Sequence, residues 1–106
     1  MDPLSLNNLK SREIIPGFHG KFLHGEKSTL VFWEIDAGSS FPLHQHPHEQ
    51  ITCIISGEFE MVIGEKKHVL RERDTCIIPS GTAHSGKALT SCQILDSFCP
   101  LREDYL

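Results

Sequence analysis

Residues 38–50, GSSFPLHQHPHEQ, gather the side chains of this chain best suited to chemistry. Successive residues of an extended strand point to opposite faces, so His44 and His46, two apart, offer neighbouring imidazoles to a single point. Gln50 lies an even number of positions further on, at the head of an apolar run, and can return a side-chain carbonyl oxygen to the same face. His84, which follows PSGTA at 79–83, adds a third imidazole. Such a mostly imidazole set suits one divalent ion per chain: nickel, zinc, manganese or iron. Glu49 has the opposite parity and is the reserve ligand. His48 has the right parity but falls in the turn region of Pro47, where a solvent-facing rim position is expected. His19, His24 and His68 have no partner pattern and carry no assigned role.

The elements that must position these residues read as strands. β-Branched and aromatic runs alternate with Gly, Pro and Ser punctuation, and no window holds a 3.6-residue apolar period. Strands are expected near 13–15, 21–24, 29–36, 41–44, 50–56, 58–63, 67–71, 75–78 and 89–98, with turns at 37–39, 56–57, 64–66 and 80–81. In the 58–63 run, Phe59, Met61 and Ile63 share one face and Glu58 and Glu60 the other, the pattern of a half-buried antiparallel strand. Without helices to cover them, the apolar faces must pair with each other in an all-β sandwich or closed barrel.

At 106 residues the chain has room for one core. A net charge of -4, with no Lys/Arg run beyond Lys66 and Lys67, excludes the electrostatic footprint of a nucleic-acid or anionic-membrane binder. No stretch approaches the apolar length of a membrane span and the start does not read as a leader, so a cytoplasmic location is expected. Cys53, Cys76, Cys92 and Cys99 form no C-x-x-C pair, and three of them lie in apolar runs, so they read as small core hydrophobes rather than zinc ligands or disulfides. A small barrel with an open edge is expected to form a homodimer.

Taken together, the two histidine blocks resemble the cupin family. Its motifs run Gly, five residues, His-x-His, three or four residues, Glu, six residues, Gly, and later Pro-x-Gly-x-x-His. Here Gly38, His44, His46, Gln50 and Gly57, then Pro79, Gly81 and His84, stand at those spacings. Two positions depart: Gln50 replaces the usual Glu, and Arg73 stands where a Gly normally precedes the second motif. The resemblance implies a double-stranded β-helix, or jelly-roll barrel, over 1–106 as one domain with a short N-terminal arm of about residues 1–12. The Gln50 exchange leaves the charge of a bound ion uncancelled, so the site favours an anionic ligand.

Within the cupins, the HPHEQ wording and the ending DSFCPLRED at 96–104 are similar to the pectin-degradation group of sugar-acid cupins. That similarity implies that Asp96, Phe98 and Arg102 line the pocket beside the metal. It further implies an isomerase that converts 4,5-unsaturated uronic acids, small anionic sugar acids, to linear ketonised products. In that reading the metal polarises substrate oxygens, Arg102 forks onto the carboxylate, Asp96 carries a proton and Phe98 walls the ring. Two other classes share the same ligands: an oxygen-using cupin such as a dioxygenase, and a non-catalytic sugar- or effector-binding cupin.

Overall fold

The computed structural model describes residues 2–106, which form two antiparallel sheets facing each other. Ten strands are described: β1 (Arg12–Ile15), β2 (Phe18–His24), β3 (Thr29–Ile35), β4 (Ser40–His44), β5 (Glu49–Ser56), β6 (Phe59–Ile63), β7 (Lys66–Leu70), β8 (Thr75–Ile78), β9 (His84–Ala88) and β10 (Cys92–Cys99). The larger sheet runs β1-β2-β3-β10-β5-β8 and the smaller β4-β9-β6-β7, the jelly-roll arrangement expected of the sequence. Two short 3-10 turns, Leu6–Asn8 and Glu103–Tyr105, are the only helical pieces among the described residues. No described helix is long and apolar enough to cross a membrane.

The period-two pattern decides which faces meet. Along β3, Thr29, Val31, Trp33 and Ile35 are buried while the residues between them are wetter, and β10 repeats this with Cys92, Ile94, Asp96 and Phe98. These faces pack with Ile54 and Ile78 against Phe59, Met61, Leu70 and Ala88 of the smaller sheet. Phe59 and Phe41 stack at 6.1 Å, and an added Cβ at Gly86 of β9 would lie 2.4 Å from the Phe59 ring. The close approach of the two rings to β9 thus needs a residue without a side chain.

The structure adds one strand that was not expected, β9, ahead of the expected run at 89–98. The run 89–98 contains only the body of β10, while β9 begins earlier at His84, and Leu89, Thr90 and Ser91 form the bend between them. His84, Ser85 and Gly86 give a weak strand signal in sequence, yet β9 pairs on both sides, with β4 and β6. His84 is therefore a strand residue held between two neighbours. The expectation of core cysteines holds for Cys92, which is buried; Cys53 and Cys76 are half-buried and Cys99 is exposed. Arg73, at the position where a Gly is usual, adopts the left-handed conformation with φ 71.

Candidate metal centre and pocket

His44 ends β4 directly opposite His84, the first residue of β9, and His46 lies in the short segment that carries the chain to β5. One ligand-capable nitrogen from each of the three lies within 4.8 Å of the others. His46 and His84 are buried, whereas His44 is exposed, so the set opens to solvent on the His44 side.

The main chain aims the three rings. Nδ1 of His44 donates to the Pro42 carbonyl at 3.0 Å, Nδ1 of His46 to the His48 carbonyl at 3.0 Å, and Nδ1 of His84 to the Thr82 carbonyl at 2.9 Å. A carbonyl can only accept, so each Nδ1 carries the proton and each Nε2 keeps a bare lone pair. Gln50 Oε1 stands 3.2 Å from His46 Nε2. With that tautomer both atoms present lone pairs, an arrangement in which the two could serve as ligands of one cation. Ligands held about 2.1 Å from a zinc-like ion are themselves about 3.0 to 3.4 Å apart. The donor set fits a divalent metal. Burial foremost, and then the nearby Arg102 and His84, lowers His46 to a pKa of about 4; burial lowers His84 as well. Both therefore stay neutral, the ligating form, at pH 7.

Behind Gln50 runs a buried hydrogen-bonded chain. Gln50 Nε2 donates to Thr52 Oγ1 at 3.0 Å, Thr52 Oγ1 donates to Asp96 Oδ1 at 2.6 Å, and Trp33 Nε1 donates to Asp96 Oδ2 at 2.9 Å. Thr52 on β5 and Asp96 on β10 are cross-strand partners, as are Gln50 and Phe98, so the chain follows the sheet pleat. Burial pushes the Asp96 carboxyl up to about 6, working against the Thr52 and Trp33 bonds that favour the carboxylate.

Arg102 follows β10 and is only 6% exposed. Its guanidinium lies 4.6 Å from the Phe98 ring centre and 4.2 Å from that of Tyr105. Asp104 accepts from Nε at 2.9 Å and from Nη2 at 2.7 Å, a side-on fork that leaves the Nη1 donors outside it. Burial is the largest single influence and opposes the guanidinium charge, but Asp104 and Tyr105 together outweigh it and the pKa moves up.

A cavity of about 240 Å³ joins these groups, lined by His44, His46, Gln50 and His84 together with Asp96, Phe98 and Arg102. All seven residues singled out in the sequence thus face one space. Glu49 is exposed, away from it. His48 departs from its expected rim position: it is half-buried, its Nε2 donates to the Leu101 carbonyl at 3.2 Å, and its Nδ1 is buried without a partner. Sequence reasoning missed Thr52, Trp33 and Tyr105, which also line the cavity. Thr52 shares the parity of Gln50 and was open to the same strand argument; Tyr105 lies past the last strand, where no periodicity reaches it.

Residues 31–98 match the family model described as Cupin domain. The chain is similar to the pectin degradation protein KdgF of Dickeya dadantii, 34% identical over 93 residues that cover 77% of this chain and 84% of the relative. Among solved structures, KdgF from a Halomonas species aligns with a TM-score of 0.88 and 29% identity over 94% of each chain. An RmlC-like cupin from Shewanella frigidimarina aligns with a TM-score of 0.90 and 25% identity, covering 94% of this chain and 91% of that one.

Proposed function

The chain belongs to the cupin family, and from that premise we propose that it is a metal-dependent isomerase of 4,5-unsaturated uronic acids, opening the hemiacetal ring and carrying the resulting enol to the linear ketone. The observation that carries this reading is the meeting, in one 240 Å³ cavity, of a three-histidine and glutamine donor set with a buried guanidinium and a buried carboxyl. The homology to KdgF, a pectin degradation protein, supports a sugar acid as the ligand. A cavity below the roughly 300 Å³ at which drug-sized sites begin suits a single sugar ring better than a chain.

His44, His46, Gln50 and His84 would hold the ion. When bound, it supplies Lewis acidity toward a substrate oxygen and, with no anionic ligand, an excess of positive charge that favours an anion. Arg102 binds the substrate carboxylate through the donors that Asp104 leaves outside its fork, and the rings of Phe98 and Tyr105 hold the guanidinium plane in place. Phe98 gives the sugar an apolar wall. Asp96, with its carboxyl near 6, is poised to accept or release a proton close to neutral pH.

The test is incubation of the metal-loaded protein with a panel of unsaturated uronates, with the products followed by NMR. Linear keto products formed faster than in a metal-free control are expected. Oxygen uptake would instead assign the site to an oxygen-using cupin, and tight binding without turnover to a binding cupin.

A further inference from the structure

We infer that Thr52 is a positioning residue: its hydroxyl, committed as a donor to Asp96, fixes the Gln50 side chain with its amide nitrogen toward Thr52 and its carbonyl oxygen toward His46, and so dictates glutamine rather than glutamate at position 50. The purpose of this arrangement rests on the metal-centre reading above; its main test does not.

The polarity of the chain can be followed from its far end. The Trp33 indole can only donate, so it makes an acceptor of Asp96 Oδ2. Thr52 has a single hydroxyl proton, and the 2.6 Å contact to Asp96 Oδ1 takes it up. The Thr52 oxygen can then only accept, and its partner 3.0 Å away on residue 50 must bring a proton. An amide nitrogen does so. A carboxylate in the same place would set two oxygens against each other with no proton between them. Little solvent reaches the contact to relieve the conflict: Thr52 is 0%, Gln50 5% and Asp96 7% exposed. Once the nitrogen is fixed on the Thr52 side, the oxygen falls on the His46 side, where it stands 3.2 Å from Nε2. The neutral oxygen donor of the metal set is thus determined two residues away, on the same face of β5.

The hydrogen-bonded chain should therefore be reversible. In Q50E/D96N, the new amide at 96 accepts from Trp33 through its oxygen and donates to Thr52 through its nitrogen, and the Thr52 hydroxyl turns to donate to the new carboxylate at 50. Thermal unfolding of the metal-free protein, in chelator, reads this directly. Q50E should lower Tm by about 5 to 10 °C, the shift expected for one unmet buried hydrogen bond in a chain of this size, and D96N by less, because in the metal-free protein the Gln50 amide can turn over to accept from Thr52 and donate to His46 Nε2. The double variant should recover most of the Q50E loss. Should Q50E alone fail to fold, recovery of a folded protein on adding D96N is the same expected result. Because Q50E/D96N also restores net charge, the cycle is repeated in the T52V background, where the coupling should vanish. Additive losses, or a coupling undiminished by T52V, would overturn the relay.

Nickel affinity by chelator competition gives a second reading. T52V should weaken it by ~3- to 10-fold, since a freed amide no longer holds its oxygen on the ion, while T52S, which keeps the hydroxyl, should match the unmodified protein. Equal affinities for T52V and T52S would refute the positioning role. If no variant retains nickel, the metal reading fails, and the unfolding cycle still judges the relay.

Discussion

Replacing Arg102 by alanine is expected to raise KM for an unsaturated uronate by ~10²-fold while leaving metal content unchanged. The magnitude follows from how the guanidinium is held. Hydrogen bonds to a charged partner contribute about 1.5 to 3 kcal/mol each, and two in a fork, counted as less than additive, give about 3 kcal/mol. At about 1.4 kcal/mol per tenfold change this is ~10² in affinity. Little is deducted for ordering the side chain, because Phe98, Tyr105 and Asp104 already fix it in the free protein. R102K keeps the charge but loses the fork and the stacked plane, so a rise of ~10-fold is expected. The fold should survive both changes: the backbone nitrogen of residue 102 still donates to Thr29 Oγ1 at 2.9 Å, and Asp104, with 55% of its side chain exposed, returns to solvent. Steady-state rates are followed by NMR against a metal-free control, since uronate ring opening proceeds slowly unaided. A KM for R102A within twofold of the unmodified value, at full metal content, would refute the assignment of the carboxylate to Arg102.

The purified protein should carry close to one transition-metal ion per chain and H46A should lose most of it; elemental analysis that finds no retained nickel, zinc, manganese or iron in the unmodified protein contradicts the site. At saturating metal, D96N should lower kcat by ~10²-fold with little change in KM, and full kcat in this variant would place the proton carrier elsewhere. Stability against pH separates two buried groups of opposite sign. Asp96, raised from 3.8 to about 6, adds stability as pH falls through 6, whereas His46, lowered from 6.5 to about 4, loses it as pH falls from 6.5 to 4. D96N removes the compensating gain, so metal-free D96N should lose about 2 kcal/mol more than the unmodified protein between pH 7 and 4, measured by urea unfolding; parallel losses would show that Asp96 titrates normally. G57A should cost about 3 kcal/mol or more, because residue 57 has φ +90 and an added Cβ would lie 2.2 Å from the Ser91 carbonyl oxygen; a Tm within 2 °C of the unmodified protein, less than about 0.5 kcal/mol, would sink this.

Most of the fold was legible because its strands are β-branched and aromatic runs set off by turns: 29–36 reads directly as β3, and the alternation in 58–63 reads as β6 with one face buried. Legibility failed where packing, not side-chain pattern, makes the strand. β9 carries a glycine because Phe59 and Phe41 crowd its backbone, and glycine in a sequence signals a turn. The start of β2 was hidden in the same way by Gly17 and Gly20. At the site, parity arguments brought His44, His46 and Gln50 to one face, and the family spacing supplied His84, Asp96, Phe98 and Arg102. Contacts between distant segments had no local signal. The partnership of Trp33 with Asp96 spans 63 positions, and the Tyr105 ring reaches Phe22 and Trp33 from beyond the last strand. His48 departs from a rim position because the Leu101 carbonyl, 53 positions away in sequence, draws the imidazole inward from the exposed bend at Pro47.

The carbonyls of Pro42, His48 and Thr82 that steer the three imidazoles belong to the main chain. A carboxylate in that role would be one point mutation from loss; a peptide oxygen has no codon of its own. Neutral drift at positions 42 and 82 can therefore exchange side chains without unsettling the tautomers, provided the path of the backbone is kept. The aim of the ligands is inherited through chain geometry, which gives the centre a mutational robustness that its opening to solvent at His44 would not otherwise provide.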